Sequence, residues 1–532
     1  MNRREFLAFI GTGAVSFSFG NFCKGQACKK RPNILLIMAD DMGFSDIGCY
    51  GSEIATPNLD SLANNGLRFN QFYNSARCCP TRASILTGLS QHQAGIAGMV
   101  HWRGSEKGPY QGYLNDKCIT IAEALKPAGY KTYMSGKWHV GEFAEVWPRK
   151  RGFDKYFGLI GGAMNYFDIT KGRTKDLSRI FVEDDTRITP AEKVFYATDT
   201  FTDKAINMLN QHNNDEPFFL YLAYNAPHWP LHAWEKDIKK YQGKYLTGFD
   251  KLRKARYEKQ LKLGIIDSTW KLSEPDSKVA KWDELSEEKK KEMDRKMAVY
   301  AAQIDSMDQN IGRVLETLKT KGLFENTLIL FLSDNGSCHE GGTLGVNYRR
   351  DLTGEIGTAN SYQSYGRSWA NVSNTPLRLY KHWTHQGSIS TPLIAHWPGK
   401  ITDKGQIRTQ VGHIIDIMPT ILDAASAEYP KEYKSKKITR LQGISLIPTF
   451  KNKTNKDRLL YWEHKYNSAI RQGNWKLVLN DENNNSWELY NIKKDHSETD
   501  NLINKEPKIA KKLKQKWHKW ANHCGVKLKE QN

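Results

Sequence analysis

Four apolar runs of strand length end in polar or ionisable residues, and this repeated ending constrains the fold of the 532-residue chain more than any other feature. Residues 34–39 run into Asp40-Asp41, and residues 327–332 into Ser333-Asp334-Asn335-Gly336. Residues 218–223 lead to Asn225-Ala226-Pro227-His228, and residues 130–134 to Gly136-Lys137-Trp138-His139. Continuous apolar runs suit strands buried on both faces, as in a parallel sheet covered by helices. Helical patterns alternate with them. Residues 290–321 place Met297, Tyr300, Ile304, Met307, Ile311 and Val314 at helical spacing, as core positions. The expected fold class is α/β, a mainly parallel sheet between helices. In such sheets ligands bind beyond the carboxyl ends of the strands. One polar ending is commonplace; four on one rim make a site.

The sequence divides into an amino-terminal segment at 1–27, a large domain at 31–450 and a small one at 451–532. In the last, short strands at 459–462, 468–471, 475–479 and 487–491 precede a basic helix at 507–522, and Asn480-Asp481 with the asparagines after it supplies a turn. That pattern predicts a small antiparallel sheet with one helix. The lysine-rich stretch at 232–289 reads as an insertion over the rim or a surface excursion.

Formal net charge is +20, which fits nucleic acid, anionic surfaces or anionic substrates. No zinc-finger spacing, RNP motif or concentrated basic helix accompanies it, so a nucleic-acid partner is not expected. Asn2-Arg3-Arg4-Glu5-Phe6-Leu7 resembles the twin-arginine export motif, and Gly25-Gln26-Ala27 offers a cleavage site. The apolar stretch between them is short and glycine-rich for a membrane span, so no transmembrane anchor is expected; a lipid anchor at Cys23 or Cys28 lacks a good lipobox. A periplasmic or otherwise exported bacterial protein is the expectation. The eight cysteines are scattered and form no disulfide framework, although one bridge stays open.

Asp40, Asp41, Asp334 and Asn335 offer a shell of oxygens without His or Cys, which favours calcium, or magnesium, over zinc. Taken alone, Asp334-Asn335-Gly336 reads equally well as a tight turn. Beside the Asp40-Asp41 pair it reads as a ligand.

Between the first two strands lies Cys78-Cys79-Pro80-Thr81-Arg82, followed by Leu86-Thr87-Gly88. This run resembles the signature of the formylglycine-dependent sulfatases, and the resemblance extends from about residue 32 into the small carboxyl-terminal domain. It implies an alkaline-phosphatase-like fold and a sulfuric ester hydrolase acting on an aryl or carbohydrate sulfate. It further implies that Cys78, not Cys79, is oxidised to formylglycine by a maturation enzyme, because only Cys78 has Pro two residues on and Arg four residues on. The helix is expected after Arg82, with residue 78 near its amino terminus. By resemblance, calcium bound by Asp40, Asp41, Asp334 and Asn335 also touches residue 78. Arg82 and Lys137 hold the aldehyde hydrate, and Lys381 is a second sulfate-binding lysine. His139 takes the diol proton when sulfate is expelled, and either His228 or Lys381 protonates the leaving group.

Two departures from the family pattern bear on substrate contacts. Gln386-Gly387-Ser388 replaces an acidic residue and a double glycine, and Asn165 stands where a serine often lies near the sulfate. His92, His101, Trp102, His232 and His382 are rim candidates, each of which reads better as a surface or packing residue. Two rival readings share the motifs: a phosphonate or phosphate ester hydrolase on the same fold, and a sulfated-glycan-binding protein with a decayed site. Intact Cys78, acidic ligands and Lys137 speak against the second.

Overall fold

The four apolar runs are four consecutive strands at the centre of one ten-stranded sheet, all parallel. In the computed structural model they lie in the order Thr327–Ser333, Asn33–Ala39, Phe218–Ala223, Lys131–Gly136, so their carboxyl ends share one edge. Lys155–Leu159 continues the parallel set. Beyond it Phe181–Glu183 pairs antiparallel with Lys155–Leu159, and Thr186–Arg187 pairs antiparallel with Phe181–Glu183. On the other side Leu393–His396 pairs antiparallel with Thr327–Ser333, followed by Leu67–Phe69 and Gln406–Arg408. The structure describes residues 30–528 except 101–106, 175–178, 190–194, 455–456 and 481–485. The export segment, His101, Trp102 and the asparagine-rich turn after Asn480 lie outside the described residues.

The central strand shows why its run is unbroken. Leu35, Ile37 and Ala39 face one buried layer, whereas Ile34, Leu36 and Met38 face the other. With helices on both sides, no position along it can be polar until the strand ends. Each large apolar side chain so buried contributes about 1.5–3 kcal/mol. One covering helix, Glu287–Thr320, begins three residues before the expected start and is capped by Ser286, whose side chain accepts from the Lys289 N–H at 3.2 Å. Its buried face carries Met297, Tyr300, Ile304, Met307, Ile311 and Val314, as expected.

The stretch at 232–289 is not a surface excursion. Its helix Phe249–Lys262 sends Arg256 inward, 2.8 Å from Asp46 and 2.8 Å from Glu53. Asp46 in turn accepts from the Gly43 N–H and the Tyr300 hydroxyl, each at 2.8 Å. The segment therefore braces the loop after Asp41. Lysines dominate its composition while one buried arginine does the bracing, which is why the sequence reads as solvated.

The small sheet has four antiparallel strands, Leu459–His464, Asn467–Gln472, Trp475–Asn480 and Ser486–Asn491, and the helix Pro507–Cys524 covers one face. The other face packs Leu460, Trp462 and Val478 against Tyr73, Ala76 and Ile389 of the large sheet's loops. From Arg31 onward the chain is one compact unit. The six described cysteines are all buried and free.

Candidate active site

Helix Cys78–Thr87 starts at Cys78 itself, five residues ahead of the expected start, with Arg77 extended before it. Pro80 is compatible with this because a first-turn residue needs no N–H partner. All ten helix residues are buried, and no side chain caps the amino end. Residue 78 thus stands where backbone N–H groups favour anionic oxygens. One turn on, Arg82 donates to Asp334 Oδ2 from Nε at 3.1 Å and from a terminal nitrogen at 2.8 Å, and to the Lys137 carbonyl at 3.0 Å.

The strand ends deliver the remaining groups. Lys137 Nζ lies 2.5 Å from Asp40 Oδ2, and Lys381 Nζ lies 2.8 Å from Asp41 Oδ2. Asn335 Nδ2 donates to Asp41 Oδ1 at 2.6 Å, and the Asp41 N–H to Asp334 Oδ1 at 3.2 Å. Asp41 and His139 take left-handed backbone conformations, with φ of 66° and 56°, where a side chain costs strain that neighbouring contacts must offset. Gly136 permits the approach that aims Lys137. Its φ is +116°, and a Cβ there would lie 1.9 Å from the Ala223 carbonyl oxygen. A Cβ on Gly336 would likewise lie 1.8 Å from the Gly387 carbonyl oxygen, so the glycine lets the Asp334-Asn335 turn seat against the loop that carries Lys381.

Asp40, Asp334 and Arg82 are fully buried together. Burial and the neighbouring Asp40 charge push Asp334 well above the usual carboxylate range. Burial also acts to raise Asp40, but Lys137, His228 and Arg82 outweigh it and hold Asp40 below its ordinary value. Asp40 Oδ1 and Asn335 Oδ1 are buried with no hydrogen-bond partner. Orphaned hard oxygens inside a carboxylate cluster are a donor set short of one cation. Asp40, Asp41, Asp334 and Asn335 fit calcium or magnesium.

Cys78 is 2 % exposed. A hydrogen bond from Cys79 lowers its thiol well below the ordinary value against the effect of burial, with Lys137, His139 and Lys381 adding to the shift. Burial drives Cys79 the other way. His139 lies beside the pair, with Nε2 3.2 Å from Cys79 Sγ, and burial lowers its pKa to about 4. It is therefore neutral at pH 7 and can accept a proton. His228 stands across the site. Its Nδ1 donates to the Trp229 carbonyl at 2.5 Å, leaving Nε2 3.3 Å from Asp41 Oδ2 and 3.4 Å from Lys381 Nζ. Burial pulls Lys381 down, but Asp41 with Cys338 and Glu340 lifts it well above its usual value.

Every catalytic and metal candidate named from the sequence thus meets at one strand edge. The rim candidates fare differently. His92 is buried against Glu463 of the small sheet at 2.7 Å, and His232 is buried between the Tyr166 N–H and the Ser361 carbonyl. Both are packing residues. His382 lies at the rim, with Nδ1 3.3 Å from Arg77. Asn165 does not replace a sulfate-binding serine. Its Oδ1 accepts from the Phe167 and Asp168 N–H groups and its Nδ2 donates to the Ala359 carbonyl, so it shapes its own loop.

Sequence reasoning passed over Glu340. Its carboxylate takes Arg77 at 3.0 Å and Trp229 Nε1 at 3.1 Å, the residues adjoining Cys78 and His228. Burial alone would raise it; Lys381, Arg77 and His228 hold it far below the usual range. Glu498 was missed too. It accepts from the Gln386 N–H at 2.8 Å and pairs with buried Lys476 at 2.7 Å, bringing a carboxylate from the small domain to the segment that lacks its own acid. A few residues after Asp334, Glu340 had the right position as a signal; Glu498 had none.

Comparison with known proteins gives a consistent picture. Residues 32–427 match the family model described as Sulfatase, and residues 378–523 match the carboxyl-terminal model of N-sulphoglucosamine sulphohydrolase. The chain is 36% identical to an arylsulfatase of Klebsiella aerogenes over 437 residues, covering 79% of this chain and 92% of the relative. It is also 36% identical to an uncharacterized sulfatase of Schizosaccharomyces pombe, covering 94% and 95% of the two chains. Among solved structures, Ps i-CgsB in complex with k-i-k-neocarrahexaose superposes with a TM-score of 0.69 at 26% identity, covering 92% of this chain and 93% of that one. The fold is the alkaline-phosphatase-like one, with a large mixed sheet and a small four-stranded antiparallel sheet.

Proposed function

The chain belongs to the sulfatase family of hydrolases, and on that footing we propose that it cleaves sulfate from a sulfated glycan, with aryl sulfates as accessible test substrates. Residue 78, matured from cysteine to formylglycine, is the nucleophile, and calcium, or magnesium, is held by Asp40, Asp41, Asp334, Asn335 and residue 78. The observation that carries this reading is the pair of orphaned oxygens, Asp40 Oδ1 and Asn335 Oδ1, in a buried carboxylate cluster beside the uncapped helix start at Cys78. The carbohydrate side is supported by the saccharide bound to Ps i-CgsB. Oxidised, residue 78 supplies a hydrated aldehyde; the cation supplies a positive charge facing sulfate oxygens.

The chain's own residues do the rest. Lys137 and Lys381 offset the charge that develops on the sulfate oxygens. Arg82, whose guanidinium stays protonated, orients the hydroxyls at residue 78 and neutralises Asp334. His139, neutral because it is buried, accepts the proton released as residue 78 returns to the aldehyde. His228 Nε2 and Lys381 Nζ are the two proton sources for the leaving oxygen. Asp41 holds both in place from one carboxylate oxygen.

The twin-arginine-like amino-terminal sequence supports the reading of an exported, periplasmic protein, matured in the cytoplasm by a formylglycine-generating enzyme. No helix among the described residues is long and apolar enough to cross a membrane. Peptide mass spectrometry across residue 78, together with turnover of matched aryl sulfate, phosphate and phosphonate esters, tests the reading. An aldehyde at 78 with preferred sulfate turnover is expected. An unmodified cysteine in active protein, or a phosphonate preference, would overturn it.

A further inference from the structure

Two arginines at the mouth of the site lack a hydrogen-bonded or ion-paired acceptor among the described residues. Arg173 is exposed and lies over the Tyr348 ring at 4.6 Å and the Trp229 ring at 5.4 Å, while those two rings stack at 4.6 Å. Trp229 directly follows His228. Arg179 is half-buried, and its Nε has neither solvent nor a hydrogen-bond acceptor. Its terminal nitrogen lies 3.6 Å from where a Cβ on Gly161 would stand, and the next residue, Gly162, leans on the His139 ring. Among the described residues neither arginine makes a hydrogen bond or an ion pair. Burial and the Arg173 charge both disfavour the Arg179 cation, and Tyr362 and Glu142 only partly offset this.

A third group completes the arrangement. Tyr362 is fully buried, yet its hydroxyl has no partner, and both arginines act on it electrostatically. The Tyr348 N–H donates to the Tyr362 carbonyl at 3.0 Å, and Arg349 holds the Gly172 carbonyl at 2.9 Å, so the elements carrying Arg173, Tyr348 and Tyr362 are tied together. Two like charges kept close, with the Glu142 carboxylate near Arg179 but no ion pair formed to either arginine among the described residues, stand beside an unused hydroxyl donor; this arrangement is unfavourable in the free protein and becomes favourable when an anion with several acceptor oxygens arrives.

We propose that Arg173, Arg179 and the Tyr362 hydroxyl form a second anion-binding subsite at the mouth, which holds a further sulfate or carboxylate group of the substrate. The proposal rests on the sulfatase reading and narrows it: the substrate is a glycan with at least two anionic groups, one cleaved and one gripped. The Trp229-Tyr348 pair forms the apolar wall along which the sugar between them lies.

The test separates grip from chemistry. Turnover of 4-nitrophenyl sulfate, which carries one anionic group, reports on the catalytic centre. Calorimetric titration of the full chain with three sugars reports on the subsite: N-acetylglucosamine 6-sulfate, glucosamine 2-N,6-O-disulfate, and the 6-sulfated N-acetylglucosamine linked to glucuronate. A second anionic group should tighten binding at least tenfold, and R173A or R179Q should remove that gain while leaving 4-nitrophenyl sulfate turnover within about twofold. R179K should retain part of it. R173A is at an exposed position, and thermal melts of all variants exclude loss of fold. A gain confined to the disulfate assigns the subsite to sulfate; a gain confined to the glucuronide assigns it to carboxylate. Equal binding of all three sugars, or a gain that survives in both variants, overturns the proposal. Failure of wild-type protein to turn over any sulfate ester would instead count against the parent reading, which the titrations do not depend on.

Discussion

The Nζ of Lys381 stands 3.4 Å from Nε2 of His228, and Asp41 Oδ2 reaches both, at 2.8 Å and 3.3 Å. Two nitrogens that can each carry a proton are thus tied to one carboxylate oxygen, and the sequence alone does not apportion the proposed proton donation between them. The hydrogen bond from His228 Nδ1 to the Trp229 carbonyl directs Nε2 at the substrate side, whereas Lys381 is held as a cation by Asp41.

We predict that His228 is the proton donor and Lys381 a sulfate-binding charge. H228A should lower kcat/KM on sugar sulfates by about 10²–10⁴-fold, but by about tenfold or less on 4-nitrophenyl sulfate, whose leaving group needs little protonation. K381A should slow both alike. A leaving-group series measures the slope for each variant; a steeper slope in K381A reverses the assignment.

Stability should depend on the cation. Chelation with EDTA is expected to abolish turnover and lower the Tm, because a ligand bound only by the native state adds stability by mass action, about 2.7 kcal/mol at a hundredfold excess over Kd. Calcium should restore both. Unchanged melting and turnover after exhaustive chelation would remove the cation from the proposal. D40N should abolish the chelator effect, since it alters an orphaned oxygen and the partner of Lys137 together.

The adjacent thiols are separable. C78A should reduce turnover by about 10³-fold or more, as expected for loss of a nucleophile. C79A keeps residue 78 and removes the Cys79 contacts to Cys78, His139 and Met99, so its loss should stay within about tenfold. Comparable losses in the two variants would contradict the choice of residue 78.

Much of this site was legible because it lies at the ends of strands. An apolar run buried on both faces must stop where polarity begins, and Asp40, Lys137, Asn225 and Asp334 mark those stops in the sequence. The start of the nucleophile helix was not legible. Pro80 suggests a break, yet a proline in the first turn is harmless, and the helix begins two residues before it. Asn165 was misread, and the packing role of His92 had no visible partner, for another reason. Their types suit substrate contact, but orientation is set by partners distant in sequence or by their own loop's backbone, and Glu463 lies 371 positions from His92. The bracing by Arg256 and the carboxylate of Glu498 are invisible for the same reason.

Acid should destabilise the protein through histidines. Burial lowers His139, His232 and His396 to about 4 from an ordinary 6.5. Between those values the unfolded chain binds protons that the native state refuses, so stability rises with pH across that window and falls as pH drops from 6.5 toward 4. Melting scans at pH 4.5 and 7 should show a lower Tm at 4.5. H232Q should flatten the dependence without touching the active site; an equal or higher Tm at pH 4.5 would contradict it.

Glu498 should matter beyond its own domain. It is fully buried with Lys476, and E498A would leave that ammonium without a counter-charge, costing about 3–5 kcal/mol. The variant also loses the acceptor for the Gln386 N–H, five residues from Lys381. Denaturant unfolding should show the loss of stability, and KM for sulfate esters should rise with it; a stable variant with unchanged KM would separate the small domain from the site.

Cys78 is 2 % exposed and begins a helix whose every residue is covered. No modifying enzyme can reach a side chain in that position once the surrounding sheet has closed. If residue 78 is matured as proposed, its oxidation would therefore compete with folding itself. Faster collapse would leave more molecules that are fully native in shape and permanently inert, so the activity of a preparation would record who won that race rather than how much protein was made.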